Sequence, residues 1–363
     1  MANNNEVLLK VEHLCQYFGP TKAVDDVNFE IKKGEVFGLV GESGCGKTTT
    51  GRSIIGLYDI TGGSVTFKGK KMAVGTGYHR YAIKKSEVQI KKLKKDLKHA
   101  RFSDRRAIRD EIRQEHVNIE TCKREIKNLI QDKKKIDKKL RTKIQMIFQD
   151  PIASLDPRMT VRDIIAEGLI INGMKDKEEI DNKVYKILEL VGLVKEHASR
   201  YPHEFSGGQK QRIGVARAVI MEPDLIIADE PVSALDVSIQ AQVINLLNDL
   251  RRELGLTILF IAHDLSVVKY FSDRIGVMYF GKMVELAPAD ELFRNPLHPY
   301  TKSLLSAIPL PDPMYEKQRQ RIVYNPLASH DYSKEGPTMR EVKPGHFVYC
   351  NSEELKKYQK ELK

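Results

Sequence analysis

The fold of this chain is constrained most by a short apolar segment that runs directly into a glycine-rich loop. Residues 36–40 are apolar, and residues 41–48 have the spacing G-x-x-x-x-G-K-T. This order predicts a strand, a phosphate-binding loop and a helix. Backbone N–H groups of the loop would face an anion, Lys47 would contact the β- and γ-phosphates, and Thr48 would offer a hydroxyl to Mg²⁺. The segment therefore predicts an α/β protein that binds a nucleotide.

Composition narrows the class of protein. A chain of 363 residues with 41% hydrophobic and 30% charged residues is typical of a soluble globular protein with one to three domains. No stretch approaches the roughly 20 apolar residues of a transmembrane helix, and the first residues do not resemble a signal peptide. Four cysteines without C-x-x-C spacing favour a reducing compartment over a disulfide or zinc framework.

The net charge of +11 comes from one segment. Residues 80–143 contain 23 Lys and Arg but only 10 Asp and Glu, so the rest of the chain is nearly neutral. Apolar residues recur there at a 3/4 spacing over 90–97 and 119–140, which predicts an inserted hairpin of two antiparallel helices. Three roles stay open: a tolerated solvated insertion, an arm for anionic lipid headgroups, or a contact with a partner subunit or RNA.

The remaining pattern predicts alternating strands and helices. Residues 160–200 are predicted as helices, and the Pro-rich chain after Pro288 is predicted to have little regular structure until a polar helix near 352–363. The predicted short strands are 7–11, 27–31, 65–67, 225–228 and 257–262.

Two adjacent carboxylates follow the apolar strand at 225–228. Asp229 is predicted to lie beside the phosphate-binding loop, where it would hold Mg²⁺ directly or through water. Strand alternation predicts that Glu230 projects the other way, where it can polarise an attacking water.

Other candidate residues are weaker when taken singly. Residues 206–209, Ser-Gly-Gly-Gln, open a predicted helix and can bind a second phosphate, although alone they are only a flexible turn. His263 follows the strand at 257–262, at the edge where ligands bind in open α/β sheets. Gln149 ends a predicted strand and offers an amide oxygen to Mg²⁺ or water, whereas Ser233 and Asp236 are compatible with simple helix capping.

The order of these motifs resembles the ATP-binding cassette of ABC transporters over residues 7–285, apart from 80–143. The resemblance implies a P-loop NTPase fold with a RecA-like core, an antiparallel β-subdomain and a helical subdomain at about 150–210. It implies ATP and Mg²⁺ as cofactors, and two cassettes that close head to tail so that each signature faces the partner's ATP. Phe18 fits the aromatic residue that stacks on adenine, with Tyr17 as the alternative, and Phe205 departs mildly from the usual leucine.

The resemblance assigns roles to particular positions. Glu230 and His263 are implied as the catalytic residues, with Ser233 and Asp236 in the D-loop. The implied Mg²⁺ ligands are Thr48, Gln149 and Asp229. The signature residues implied to contact ATP on the partner cassette are Ser206, Gly207, Gly208 and Gln209. The implied ATP-binding residues are Phe18, Gly41, Glu42, Ser43, Gly44, Cys45, Gly46, Lys47, Thr48, Thr49, Gln149 and His263.

Three segments, 149–158, 200–205 and 295–309, are similar to the ATPases of oligopeptide and dipeptide importers. The last is the most specific, because general cassettes lack it, and it indicates an appended C-terminal extension at 286–363. Residues 342–348 resemble the F-type branch of these ATPases. Some relatives bind an iron–sulfur cluster through several cysteines here, but only Cys350 is present, so we predict no cluster.

This resemblance implies an ATP-hydrolysing subunit that powers oligopeptide uptake at the cytoplasmic face of the membrane. Its implied partners are two transmembrane permease subunits, a second homologous ATPase subunit and, indirectly, an extracellular peptide-binding protein. Dipeptides, nickel or another solute are alternative cargoes. A soluble ABC ATPase acting on nucleic acid or ribosomes is the alternative class, although we expect no nucleic-acid partner.

Overall fold

The structure, a computed structural model, describes most of the chain, and these residues divide into two compact units. The first unit contains residues 1–7, 31–51 and 139–363, and the second contains 8–30 and 52–138. The described ranges are 6–99, 101, 104–133, 138–150, 153–233, 235–308 and 321–362. Parts of three predicted segments lie outside them, namely 100, 102–103 and 134–137 of the hairpin, 151–152 of the 149–158 motif, and 309–320 and 363 of the C-terminal extension.

The described strands form a four-stranded and an eight-stranded sheet, with the orders β2-β1-β4-β5 and β11-β12-β10-β9-β3-β8-β7-β6. The strands are β1 (Val7–Phe18), β2 (Thr21–Lys32), β3 (Val36–Val40), β4 (Gly62–Phe67), β5 (Lys70–Thr76), β6 (Ile144–Ile147), β7 (Leu225–Asp229), β8 (Thr257–Ala262), β9 (Arg274–Tyr279), β10 (Lys282–Pro288), β11 (Thr338–Lys343) and β12 (His346–Cys350).

The described helices follow the loops and strands that the sequence predicts, with additional helices after Pro288. They are α1 (Lys47–Ile55), α2 (Gly77–His99), α3 (Arg105–Lys133), α4 (Val161–Ile171), α5 (Lys177–Leu190), α6 (Gly207–Val219), α7 (Val237–Leu254), α8 (Leu265–Phe271), α9 (Ala289–Arg294), α10 (Pro299–Ser306), α11 (Pro326–Ser329) and α12 (Ser352–Glu361). None of the helices in the described ranges is both long and apolar enough to cross a membrane.

The centre of the eight-stranded sheet is parallel, and this arrangement positions the candidate site. β3 pairs with β8 and β9, β8 pairs with β7, and β7 pairs with β6, all in parallel. Every residue of β3, β7 and β8 is buried, which explains their continuous apolar sequences. Because the strands are parallel, the segments that follow β3, β6, β7 and β8 meet at one edge of the sheet.

The second unit contains the antiparallel sheet and the two basic helices. β4 pairs antiparallel with β1 and with β5, and Lys71 of β5 lies 3.2 Å from Asp132 of α3. The two helices pack on each other, and their buried residues are Ile90 and Leu93 on α2 and Ile119 and Leu129 on α3. At 1.5 Å per residue α3 is about 44 Å long.

The expectation of little regular structure after Pro288 is wrong. The extension contains α9 to α12, and β11 and β12 continue the eight-stranded sheet through β10. The Pro-rich composition hid these strands, because the prolines are concentrated before them while β12 alternates buried and half-buried residues.

A buried carboxylate fastens the extension to the sheet. Glu285 of β10 is fully buried and accepts hydrogen bonds from the backbone N–H groups of Leu297 (2.8 Å) and His298 (3.0 Å). Its Oε1 also lies 2.8 Å from Nε2 of His346 on β12, which is equally buried. One side chain of the core therefore satisfies polar groups from two segments of the extension, residues 297–298 and β12.

We expect Glu285→Leu to lower the free energy of unfolding by about 3 kcal/mol or more, because it leaves several buried donors without an acceptor. Urea unfolding of the full chain followed by circular dichroism measures the change. Glu353→Leu, which replaces an exposed carboxylate, is the matched control and should shift the midpoint little. Equal midpoints for the two variants would contradict the role of Glu285.

Candidate active site

The glycine-rich loop between β3 and α1 has a backbone that only glycine allows at key positions. Gly46 has a φ of +106°, in a region that L-residues rarely adopt. A Cβ at Gly41 would lie 2.2 Å from the carbonyl oxygen of Met278, so a side chain there would collide with β9. The turn between β9 and β10 also holds the loop, since Gly281 donates its N–H to the Cys45 carbonyl (2.9 Å).

Lys47 is almost completely buried at the start of α1. Its ammonium donates to the carbonyl oxygens of Gly41 (2.8 Å) and Glu42 (2.9 Å), and it lies 4.0 Å from Oε1 of Glu230. The cation is thus held inside the loop, where the helix N-terminus also favours an anion. Burial raises the pKa of the neighbouring Cys45 thiol, which keeps that side chain protonated. The position of Lys47 at the helix N-terminus therefore allows the loop to bind phosphate. The Cys45 thiol in the same loop is not poised to act as a thiolate.

Asp229 lies beside the loop, as the sequence predicts. The Thr48 hydroxyl donates to Oδ1 of Asp229 at 2.7 Å, although the two residues are 181 positions apart. The parallel pairing of β3, β8 and β7 produces this contact, because it places the carboxyl ends of β3 and β7 at the same edge of the sheet with only β8 between them. Asp229 is fully buried, so its carboxylate is confined to this edge.

Glu230 does not continue strand alternation, so that part of the prediction is wrong. β7 ends at Asp229, and Glu230 has a φ of +45°, a left-handed conformation that costs about 1–3 kcal/mol outside glycine. This turn directs the carboxylate toward the loop, where Gln149 Nε2 donates to its Oε2 (3.0 Å). His263 Nδ1 lies 3.1 Å from the same oxygen. The structure thus brings Lys47, Gln149, Glu230 and His263 together.

A recess of about 50 Å³ opens beside this carboxylate. Glu230, His263 and Ser233 contribute to its walls. The volume exceeds the 10–15 Å³ or so that one water requires, and the walls combine these polar side chains with apolar ones, among them Val232 and Val267. A water placed there would lie next to both a carboxylate and an imidazole, which is the arrangement that general-base chemistry requires.

The signature and the D-loop residues lie at the N-termini of two helices, α6 and α7. Ser206 and Gln209 form a capping box at the start of α6, with hydrogen bonds of 3.0 and 3.4 Å. A Cβ at Gly208 would come within 2.7 Å of Ile239 on α7, whereas one at Gly207 would meet ordinary packing. In the D-loop, Ser233 donates to the Glu230 carbonyl (3.0 Å), and Asp236 occupies the N-cap of α7 without a side-chain cap bond.

The expected adenine-stacking residue belongs to the second unit. Phe18 ends β1 and is 46% exposed, with Tyr58 packed edge-on at 5.3 Å between ring centroids. The alternative residue, Tyr17, donates its hydroxyl to Asp25 at 2.5 Å. Phe18 therefore presents a free ring face more readily than Tyr17, and its contact with adenine stays a prediction.

The oxygen atoms near Thr48 fit a magnesium ion. The Thr48 hydroxyl and the buried Asp229 carboxylate, which are in hydrogen-bond contact, are hard oxygen donors of the kind that Mg²⁺ prefers. Gln149 directs its amide nitrogen at Glu230, so its role as a Mg²⁺ ligand stays a prediction. Among the described residues no group of three or more His, Cys, Asp or Glu side chains is placed to hold a metal. A cation at this edge would therefore depend on hydroxyl and amide oxygens, on water and on substrate phosphates.

One residue in contact with the loop was missed. The backbone N–H of Glu42 donates to the hydroxyl of Tyr300 at 3.0 Å, although Tyr300 lies in the C-terminal extension. The His-Pro-Tyr run at 298–300 marked the subfamily but received no role. The available signal was the proline directly before the tyrosine, because proline often occupies the first position of a helix.

Comparison with known families agrees with this geometry. The family model described as "ABC transporter" matches residues 24–132 and 106–233. A second model, described as "Oligopeptide/dipeptide transporter, C-terminal region", matches residues 284–336.

Curated relatives align over nearly the whole chain. An oligopeptide transport ATP-binding protein, OppF of Bacillus subtilis (strain 168), is 55% identical over 97% of this chain and 99% of its own length. OppF of Streptococcus pyogenes serotype M1 is 48% identical over 99% of this chain and 100% of its own. A dipeptide transport ATP-binding protein, DppF of Lactococcus lactis subsp. cremoris (strain MG1363), is 47% identical over 94% of this chain and 92% of its own.

Solved structures match the fold. CbiO1 from Clostridium perfringens, part of the ABC transporter complex CbiONQ, has a TM-score of 0.57 at 24% identity, over 80% of this chain and 92% of that one. The cassette MJ0796, solved as a dimer bound to ADP and Pi, has a TM-score of 0.54 at 24% identity, over 78% and 99%. The expected α/β cassette fold is thereby confirmed.

The fold and the site define an ATP-binding cassette, and the chain is an ATPase of the ABC type. Within that class it belongs to the family of oligopeptide and dipeptide transport ATP-binding proteins, to which the resemblance of the sequence had pointed.

We expect Lys47→Ala to weaken ATP binding at least about tenfold, because hydrogen bonds to a charged group contribute about 1.5–3 kcal/mol. Displacement of a fluorescent ATP analogue from the full chain measures the affinity. Lys33→Ala removes an exposed lysine and serves as the control. If both variants bind ATP as the wild type does, Lys47 does not contact the phosphates.

Proposed function

We propose that the chain hydrolyses ATP to power uptake of oligopeptides through a membrane importer. The relatives named for oligopeptide transport support this proposal most strongly, since they align over nearly the full length, including the C-terminal extension. The relative named for dipeptide transport is less identical to the chain and makes dipeptides the alternative cargo. Nickel or another solute remains a further alternative from the wider family.

The chemistry follows from the cluster around Lys47. The loop N–H groups and Lys47 bind and orient the β- and γ-phosphates, and ring stacking by Phe18 orients the adenine. Thr48, Asp229 and Gln149 would hold Mg²⁺, which would supply charge neutralisation at the phosphates. Glu230 orients a water toward the γ-phosphate and accepts its proton.

Two neighbours hold the Glu230 carboxylate in place. Gln149 donates to Oε2, and His263 lies within hydrogen-bond distance of the same atom. His263 follows β8 and is half-exposed, so it can also reach a phosphate. We propose that His263 senses the γ-phosphate by contacting it together with Glu230. Loss of the phosphate would then break the contact between His263 and Glu230.

Transport requires partners that the chain itself does not supply. We propose that it lies at the cytoplasmic face of the membrane, bound to two permease subunits and paired with a second homologous ATPase subunit. The signature, residues 206–209, would then face ATP on the partner cassette. Closure of the pair on ATP would drive the permease between its two states, and hydrolysis would reset it. An extracellular binding protein would deliver the peptide.

We expect Glu230→Gln to bind ATP normally but to lower hydrolysis about 10²–10⁴-fold, because an amide cannot accept the proton of the attacking water. Nucleotide binding and phosphate release, measured on the complete complex, separate the two steps. Glu253→Gln, the same substitution at an exposed carboxylate of α7, is the control. Wild-type turnover by Glu230→Gln would remove Glu230 from the mechanism.

The partners can be identified with the same variant, because a stalled closed complex should survive purification. Affinity purification of Glu230→Gln from native membranes in mild detergent should recover two membrane-spanning subunits and a second cassette. Recovery with ribosomes or nucleic acid instead would replace the importer with a soluble ABC ATPase.

A further inference from the structure

The His-Pro-Tyr run at 298–300 connects the C-terminal extension to the nucleotide loop. His298 is the N-cap of α10, Pro299 is the first helical residue, and Tyr300 follows with its ring fully inside the protein. The Tyr300 hydroxyl accepts the backbone N–H of Glu42, the second residue of the loop. A residue of the family-specific extension thus contacts the general ATP-binding machinery.

The same loop residue is held from both sides. The Glu42 N–H donates to Tyr300, while the Glu42 carbonyl accepts from the Lys47 ammonium at 2.9 Å. The Gly41 carbonyl accepts from the same ammonium at 2.8 Å. Movement of Tyr300 would therefore move the peptide unit that positions Lys47.

Tyr300 itself is held rigidly. Its backbone N–H donates to Nδ1 of His298 (3.2 Å), and burial lowers the pKa of His298 to about 3, so the ring stays neutral and can accept. The His298 N–H in turn donates to the buried Glu285 carboxylate. The Tyr300 ring lies 4.4 Å from that of Tyr279 on β9 and 5.6 Å from that of Tyr324.

We propose that Tyr300 is a positioning residue for ATP binding and that the C-terminal extension sets the shape of the nucleotide loop through it. His298 caps the helix, Pro299 starts it and Tyr300 reaches the loop, so each residue of the run has a distinct part. The inference rests on the ATP-binding role of the loop, and it gives the extension a function inside the ATPase cycle. Loss of the hydroxyl leaves the loop folded but less well fixed.

The test compares two tyrosines of one aromatic cluster. Tyr300→Phe keeps the ring and removes the acceptor, whereas Tyr324→Phe is the matched control. We expect Tyr300→Phe to raise the Kd and KM for ATP about three- to tenfold, with kcat changed less than about twofold. The control should keep wild-type ATP affinity, and both variants should have similar melting temperatures without nucleotide.

Equal ATP affinity of the two variants would overturn the inference, while a wild type that does not bind ATP would overturn the proposed function instead. Hydrogen exchange of the unmutated full chain gives a second test that needs no variant. The Glu42 amide should exchange slowly, because Tyr300 is its acceptor. Fast exchange at Glu42 beside slow exchange in β3 would also overturn the inference.

A second, independent observation concerns α2. Its Lys and Arg side chains are all exposed, at positions 80, 84, 85, 91, 92, 94, 95 and 98, against two acidic residues, Glu87 and Asp96. The face opposite buried Ile90 and Leu93 follows the helical repeat and contains no acidic residue. We call it the basic face, and its members are Tyr81, Lys84, Lys85, Val88, Lys92 and Lys95.

Two apolar side chains lie among these lysines. Tyr81 is 58% exposed, and Val88, two helical turns further along the same face, is 61% exposed. Lysines surrounding an aromatic and an aliphatic side chain match a bilayer surface, where ammonium groups meet anionic headgroups and the apolar side chains enter the interface. A nucleic-acid surface would satisfy the lysines but not Val88.

We infer that the basic face of α2 binds anionic lipid. Flotation of the full chain with vesicles measures this, using phosphatidylcholine alone or with 30% phosphatidylserine. The test variant carries Lys84→Gln, Lys85→Gln, Lys92→Gln and Lys95→Gln, and the control carries Lys334→Gln, Lys356→Gln, Lys357→Gln and Lys360→Gln. Both variants lose the same charge from exposed positions.

We expect the wild type and the control to prefer the phosphatidylserine vesicles, and the α2 variant to bind them at least about tenfold more weakly. ATP hydrolysis should be unchanged in both variants. Equal binding by the two variants would overturn the inference. Binding to duplex RNA or DNA through the same lysines, without any lipid preference, would assign the face to nucleic acid and overturn it too.

Discussion

The parallel pairing of β3, β8, β7 and β6 is the constraint on which the site depends. β3, β8 and β7 are buried on both faces, so their register is fixed by packing, and the carboxyl ends of all four strands reach one edge together. The loop, Gln149, Glu230 and His263 each follow one of these strands. Residues from distant parts of the chain thereby come within hydrogen-bond distance. Thr48 and Asp229 are 181 positions apart in the sequence, but the Thr48 hydroxyl lies only 2.7 Å from Oδ1 of Asp229.

The two additions to this core have different relationships to the site. The C-terminal extension is integrated, since it extends the main sheet and is fastened by the buried pair Glu285 and His346. The helical pair α2 and α3 instead packs on itself and on β5 within the second unit. An element integrated with the sheet can influence the loop directly, whereas an exposed basic hairpin is better placed to contact something outside the chain.

Much of the site could be predicted from sequence, because its residues are fixed by short spacings. The Gly-rich loop, Lys47 and the strand that ends at Asp229 each follow from local patterns with a physical reason. The direction of the Glu230 side chain could not be predicted. A left-handed backbone conformation is usually indicated by glycine, and a glutamate at the end of a strand gives no such indication. The Tyr300 contact is tertiary and depends on where the extension folds back, while proline content concealed β11 and β12.

One measurement tests most directly whether ATP hydrolysis at this cluster powers peptide uptake. The complete complex, reconstituted in liposomes with its binding protein, is supplied with labelled oligopeptide and ATP, and uptake and phosphate release are recorded together. We expect peptide to accumulate only with ATP, and both signals to disappear together when this chain carries Glu230→Gln. Peptide accumulation that continues unchanged with the variant would contradict this expectation.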